Sequence, residues 1–253
     1  DPDSPQLINE WDGVVQSHNI MSENDPYLYV VGSNESDNAW GVADLIILDI
    51  SNPESPYKIG EWNGDYIHDV CLDGDILYGM GIYTDSIHAI DVSDKSNPEL
   101  IISWNGIPSS HACWVSEDGN TLFSASETQY GHIMSWDVSD LSNINYLDEW
   151  FPEFGEEWSV HNIFYKNGFL FASYYAFGLQ IIDVRNPREM EIAGFFDTYP
   201  YSGAGLFDGA WGAFPYFNSN RIIVSDRTYG LFVFEFTEDD WTIPFQMGDI
   251  NAD

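Results

Sequence analysis

An apolar strand ending in an acidic residue recurs five times in this chain, and the interval between copies limits the fold more than any other feature. The runs read LIILD, IHAID, IMSWD, LQIID and LFVFE, ending at Asp49, Asp91, Asp137, Asp183 and Glu235. Successive copies lie 42 to 52 residues apart. A period in the low-to-mid forties with several short strands per copy is the pattern of propeller blades. Helical repeats of that length would space apolar residues by three or four. These runs are instead β-branched and aromatic and are bounded by Gly, Asn and Pro.

Residues 160–187 display one whole unit, with three short apolar runs separated by Lys-Asn-Gly and Ala-Phe-Gly and closed by Asp-Val-Arg-Asn-Pro. The run before the acidic strand recurs as YLYVVG, ILYGMG, TLFSAS, FLFASYY and RIIVSD, and a further strand follows the Asn-Pro turns as PYKIGEW, PELIISW, INYLDEW and EMEIAGFF. The fifth copy of that outer strand is missing after Phe236, but DPDSPQLINEW at the start mirrors NPESPYKIGEW. The expectation is an all-β, five-bladed β-propeller over residues 1–236. Its last blade is completed by residues 5–11, a clasp that removes two open sheet edges. Residues 237–253 read as a linker and the truncated start of another module. The repeated aspartates are expected to accept backbone N–H bonds in the turns after them.

Seven Lys+Arg against 42 Asp+Glu give a formal charge of −35, which excludes nucleic acid and anionic membrane surfaces as partners. The charge serves solvation in a salty or cold extracellular setting, or divalent cation binding in loops around residues 37–44 and 238–240. Cys71 lies three residues after His68 and Cys113 two after His111. In a strand those offsets point to opposite faces, so two buried thiols are expected rather than a disulfide. No CxxC motif, transmembrane stretch or signal peptide is read in the sequence, and the Asp-Pro-Asp-Ser start reads as a mature N-terminus or as an artificial boundary.

Several longer stretches carry a resemblance. The strand-turn pattern L-x-I-[IL]-D-[IV]-x-x-P resembles the LVIVD repeat of secreted propellers. The order SHNI, YIHDV, SSHACWVSEDG, VHNIFYKNGFLFASYYAFGLQIIDV and FDGAWGAFPYFNSNRIIVSDRTYGLFVFEF is similar to the choice-of-anchor B family. That resemblance implies a secreted or cell-surface protein, and an acidic residue at Glu127. Asp249, Asn251 and Asp253 resemble positions 1, 3 and 5 of a dockerin-type calcium loop, which implies a longer multidomain or self-assembling surface protein.

Four histidines share one register. His18, His68, His111 and His161 each begin the first strand of a blade, where the fifth blade has Trp211. First strands line a propeller's channel, so four imidazoles are expected to gather on the axis. They would hold a transition metal (Zn, Cu, Fe or Ni), with Ca in the loops as a separate matter. Glu127 is expected to overhang them, and Asn19, Asp69 and Asn162 to orient the rings. Tyr66, Glu157, Trp158, Asp208 and Trp211 complete the expected pocket, whereas His88 and His132 read as packing or surface residues. The function expected first is a non-catalytic module for recognition or extracellular assembly, with a protein or glycan partner. The alternative is a metal-dependent hydrolase or oxygenase using the same pocket. A five-bladed glycosidase stands third, because its paired carboxylates fit badly among imidazoles.

Overall fold

In the computed structural model, residues 3–14, 16–23, 25–33, 45–152, 158–200 and 205–237 are described. The suggested calcium positions Asp249, Asn251 and Asp253, the acidic loops at 37–44 and 238–240, and Glu157 fall outside them. The fold is all-β: five small antiparallel sheets arranged as a five-bladed β-propeller. The chain divides into two compact units, residues 1–105 and 106–253.

The first unit holds two four-stranded sheets. β1 (Asn19–Met21), β2 (Tyr27–Val31), β3 (Leu45–Asp49) and β4 (Tyr57–Trp62) form one; β5 (Asp69–Asp73), β6 (Ile76–Gly81), β7 (Ser86–Asp91) and β8 (Glu99–Asn105) form the other. Tyr29, Val31, Leu45 and Ile47 from one sheet pack with Val70, Leu77 and Ile90 from the other and with Ile67 just before β5. Full burial of each such side chain contributes about 1.5–3 kcal/mol.

The second unit holds three sheets. The first is β9 (Ser110–Val115), β10 (Thr121–Ser126), β11 (Ile133–Asp137) and β12 (Asn145–Trp150). Next come β13 (Ile163–Lys166), β14 (Phe169–Ser173), β15 (Leu179–Asp183) and β16 (Glu191–Phe196). Last are β17 (Ala210–Phe214), β18 (Arg221–Asp226) and β19 (Gly230–Glu235). The second strands β10 and β14 are buried on both faces, which is why they read as continuous apolar runs. Asn167 and Gly168, both at positive φ, form the two-residue turn between β13 and β14, where the Lys166–Phe169 pair closes the ladder.

The turns behave as the repeat predicts. Asp49, Asp91, Asp137 and Asp183 each accept the N–H two residues on, at 2.9, 2.8, 3.2 and 3.0 Å. In all four complete blades the outer strand carries one extra residue opposite the third strand, at Ile59, Ile101, Leu147 and Ala193. Such bulges increase the local twist of the strand.

Two expectations are corrected. Residues 5–11 form no strand, and the fifth sheet has three strands among the described residues. β4, β8, β12 and β16 each follow their partner after a short turn, so their pairing is local. The N-terminal segment has no such neighbour, and pairing it with β19 would close a loop of nearly the whole chain. Leu7 is 85% exposed, and Trp11 packs instead beside Val30, Ile46 and Leu48. The cysteines also depart from expectation: Cys71 and Cys113 are both disulfide-bonded, and no free thiol occurs among the described residues. Offset counting failed because β9 is not a regular strand. Ala112 pairs with Ala125 but Ser110 with Ser126, so a bulge at His111 resets the alternation before Cys113.

Candidate metal centre

Three backbone irregularities of the second unit bring chemistry-bearing side chains together. The β9 bulge falls on His111 itself, and bulges re-aim the side chains they carry. Glu127, just past β10, is tied to the loop before β9 by its N–H on the Ser109 carbonyl at 3.1 Å. Tyr175, just past β14, has a left-handed backbone (φ 42°). A two-way bridge with Ala210 at 3.0 and 2.9 Å holds that strained residue across to the fifth sheet. Gly178 finishes the turn at φ 71°, where a Cβ would lie 2.0 Å from the Phe196 carbonyl oxygen.

His111, Glu127 and His161 each offer one ligand atom, and these atoms lie within 4.8 Å of one another. His111 and His161 are 1% and 5% exposed, with ring centroids 4.7 Å apart. Glu127 divides its two oxygens: Oε1 accepts the Tyr175 hydroxyl, and Oε2 lies 3.4 Å from His111 Nε2. That distance exceeds the ordinary N–H···O range of about 2.7–3.2 Å. It matches the roughly 3.4 Å edge of a tetrahedron whose ligands sit about 2.1 Å from the centre. Burial raises the Glu127 pKa, against the pull of the Tyr175 hydrogen bond and the Arg227 charge. Burial, then Glu127, drive the Tyr175 phenol far up, so it stays a neutral donor.

One wall of the cluster is aromatic. Trp211 from β17 lies 4.5 Å from the His161 ring and is 46% exposed, as expected of a residue at a mouth. Tyr175 stands edge-on to His161 at 5.5 Å and to Phe207 at 5.3 Å. Two expected members are elsewhere. Trp158 is buried in the core shared by the third and fourth sheets, edge-on to Tyr130. The Asp208 carboxylate turns back on its own loop to accept the Gly205 N–H at 2.8 Å.

In the first unit, His18 and His68 lie with ring centroids 3.7 Å apart, and the Tyr66 hydroxyl is 3.4 Å from His68 Nδ1. Asn19 and Asp69, expected to orient those rings, bond to each other, with Asn19 Nδ2 donating to Asp69 Oδ1 at 2.5 Å. His88 is a packing residue, bonded to Ser103 Oγ at 2.7 Å and to Asp65 at 3.2 Å. His132 stacks on Phe151 beside Glu149.

Burial pushes the Asp69 carboxyl up to about 7. A raised carboxyl pKa favours the fold below its unfolded value near 3.8, and that contribution is lost as pH rises through 7. At about 1.4 kcal/mol per unit, the difference is roughly 4 kcal/mol. Asp69→Asn, neutral throughout, is therefore expected to match the parent's melting temperature near pH 4 and exceed it by several degrees at pH 8. Equal melting temperatures at both pH values would contradict a buried neutral acid.

Tyr175 and Arg227 escaped the sequence reading, although a signal for both was present. Aligned by blade, TLFSASE, FLFASYY and RIIVSDR place Glu127, Tyr175 and Arg227 at one repeat position. Blade symmetry brings equivalent positions of neighbouring sheets side by side, and the Glu127–Tyr175 hydrogen bond is that proximity realised.

A propeller carrying a compact His-Glu-His cluster is thus the class defined by fold and site. The LVIVD repeat is found in it, over residues 22–63 and 68–106. No curated protein matches the chain. Solved structures similar in fold include a periplasmic gluconolactonase of Pseudomonas aeruginosa, with TM-score 0.66 and 13% identity, covering 84% of this chain and 64% of that one. A protein from Lactobacillus plantarum gives TM-score 0.71 at 14% identity, covering 89% and 69%. A putative 6-phosphogluconolactonase from Bacteroides fragilis gives 0.67 at 14%, covering 90% and 68%. The chain therefore spans about two thirds of the length of these structures. The lactonases among these structures stand against the expectation of a non-catalytic recognition module, which had rested mainly on the family resemblance and the calcium-loop-like tail. A metal-assisted hydrolase needs no nucleophile motif, since its nucleophile is water.

Proposed function

We infer that the chain is a metal-dependent hydrolase of cyclic esters, with His111, Glu127 and His161 as the protein ligands. The observation that carries this reading is the buried three-donor cluster with its 3.4 Å nitrogen–oxygen edge. Two imidazoles and a carboxylate are a donor set that leaves one tetrahedral position for water or substrate, as catalytic sites do. A bound Zn or similar ion supplies Lewis acidity toward a carbonyl and acidifies water. In lactone hydrolysis the water oxygen bonds to the acyl carbon, the ring C–O bond breaks, and a proton passes to the ring oxygen, giving the open hydroxy acid. Tyr175 keeps Glu127 Oε1 occupied, so that Oε2 alone faces His111. The exposed rings of Trp211 and Phe207, packed on His161 and Tyr175, offer apolar surface to a sugar-sized ring.

The gluconolactonase and the putative 6-phosphogluconolactonase among the structural neighbours support a lactone as substrate. The oxidised cysteines support an extracytoplasmic location, because such bonds persist in oxidising compartments. The periplasmic neighbour and the resemblance to choice-of-anchor B proteins agree with export.

The test is glucono-1,5-lactone hydrolysis, followed by acid release above the uncatalysed rate. Dialysis against dipicolinate is expected to lower the catalysed rate about 100-fold or more, and one equivalent of transition metal to restore it. Absence of catalysed hydrolysis, or activity indifferent to chelation, would overturn the reading.

A further inference from the structure

The chain has seven cationic side chains against 42 acidic ones, and where they stand is informative. Lys58, Lys95, Arg185 and Arg188 each pair with a carboxylate. Lys166 is spent on the carbonyls of Pro215 and Phe217, and Arg221 opens β18 as an exposed residue opposite Glu235. Arg227 is different. Its backbone N–H is fixed on Gly209 O at 2.9 Å, and its Nη1 on Phe207 O at 2.7 Å. The Phe207 ring stands 5.3 Å from the Tyr175 ring, whose hydroxyl is on Glu127. One guanidinium edge is thus anchored on a neutral carbonyl beside the His-Glu-His cluster, in an exposed residue. A guanidinium has five N–H donors in a planar fork, so contacts to the Phe207 carbonyl and the Tyr175 hydroxyl still leave donors for a planar oxyanion.

Resting on the hydrolase reading above, we propose that Arg227 is a specificity-determining residue that selects lactones bearing a second, anionic group, a carboxylate or a phosphate. The need for such a device follows from the charge. A protein at −35 repels anions at long range, and only a fixed local cation beside the reacting centre can make an anionic substrate preferred. Tyr175 fits the same arrangement, since its ring packs at 5.3 Å on Phe207, the residue whose carbonyl holds the guanidinium. The position is also the one that carries Glu127 and Tyr175 in the neighbouring blades, so blade symmetry supplies three functional groups from one repeat site.

The experiment compares kcat/KM for glucono-1,5-lactone (neutral), 6-phosphoglucono-1,5-lactone and glucaro-1,4-lactone in the parent, Arg227→Gln and Arg227→Lys. The parent is expected to prefer at least one charged lactone by about tenfold or more, through KM, and the favoured one tells phosphate from carboxylate. In Arg227→Gln the ratio should collapse towards one, while Arg227→Lys keeps part of it, more for phosphate than for carboxylate. No preference in the parent, or the same preference in Arg227→Gln, would overturn the proposal. Calorimetric binding of 6-phosphogluconate and glucarate to the same three proteins separates it from the hydrolase reading. Should no lactone be turned over, binding that weakens tenfold in Arg227→Gln upholds the anion site alone, and unchanged binding sinks it. Melting curves of both variants confirm that the fold is retained.

Discussion

On the hydrolase reading, His161→Ala is expected to abolish transition-metal binding and to lower kcat/KM for lactone hydrolysis about 10³-fold. The ring is one of three donors within 4.8 Å of one another, and two remaining donors hold a transition ion poorly. Several kcal/mol of transition-state stabilisation go with the ion, at about 1.4 kcal/mol per tenfold. The same ring is packed between His111 at 4.7 Å and Trp211 at 4.5 Å, so alanine also opens a cavity. His161→Gln separates the two effects, because it keeps most of the volume and a polar end but is a poor ligand for these ions. Both variants should lose metal, and the glutamine variant should melt within a few degrees of the parent. A His161→Gln protein that retains metal and activity would show that the imidazole is only packing.

Removing the disulfide chemistry is the second large effect. The Cys71→Ser/Cys113→Ser double variant is expected to lose about 2–5 kcal/mol of stability, because the bond restricts the unfolded chain. For a chain of this size that is a fall of about 5–15 °C in melting temperature. Both cysteines are buried, at 1% and 3% exposure, so the native protein should resist a mild reductant until it is warmed or partly denatured. Melting curves with and without reductant check this. A double variant and a reduced parent both melting within about 2 °C of the oxidised parent would contradict a structural role.

The blade plan was legible in the sequence because each strand carries its own punctuation. Asp49, Asp91, Asp137 and Asp183 end strands and open turns by the same hydrogen bond, so the period in the sequence is a period in the backbone. The histidine register was legible for the same reason, and it led to His111 and His161. What stayed hidden depends on departures from regular geometry. The bulge at His111 reset the alternation on which the two-thiol expectation was built. The left-handed backbone at Tyr175 carries that phenol towards Glu127, and no propensity scale marks it. Trp158 and Trp211 read alike in sequence. One is locked in the core by the Tyr130, Phe151 and Phe177 rings, while the other stands at a mouth, and only the packing tells them apart. Residues 5–11 copy an outer strand in pattern, yet pattern cannot supply the adjacent hairpin partner that makes the other four copies pair.

Anomalous diffraction from crystals of protein purified without added metal, recorded at the absorption edge of whichever transition metal elemental analysis finds, addresses the centre directly. One strong peak is predicted about 2.0–2.2 Å from a nitrogen of His111, a nitrogen of His161 and Oε2 of Glu127. A map with no peak there, in protein that still hydrolyses lactones, would contradict it.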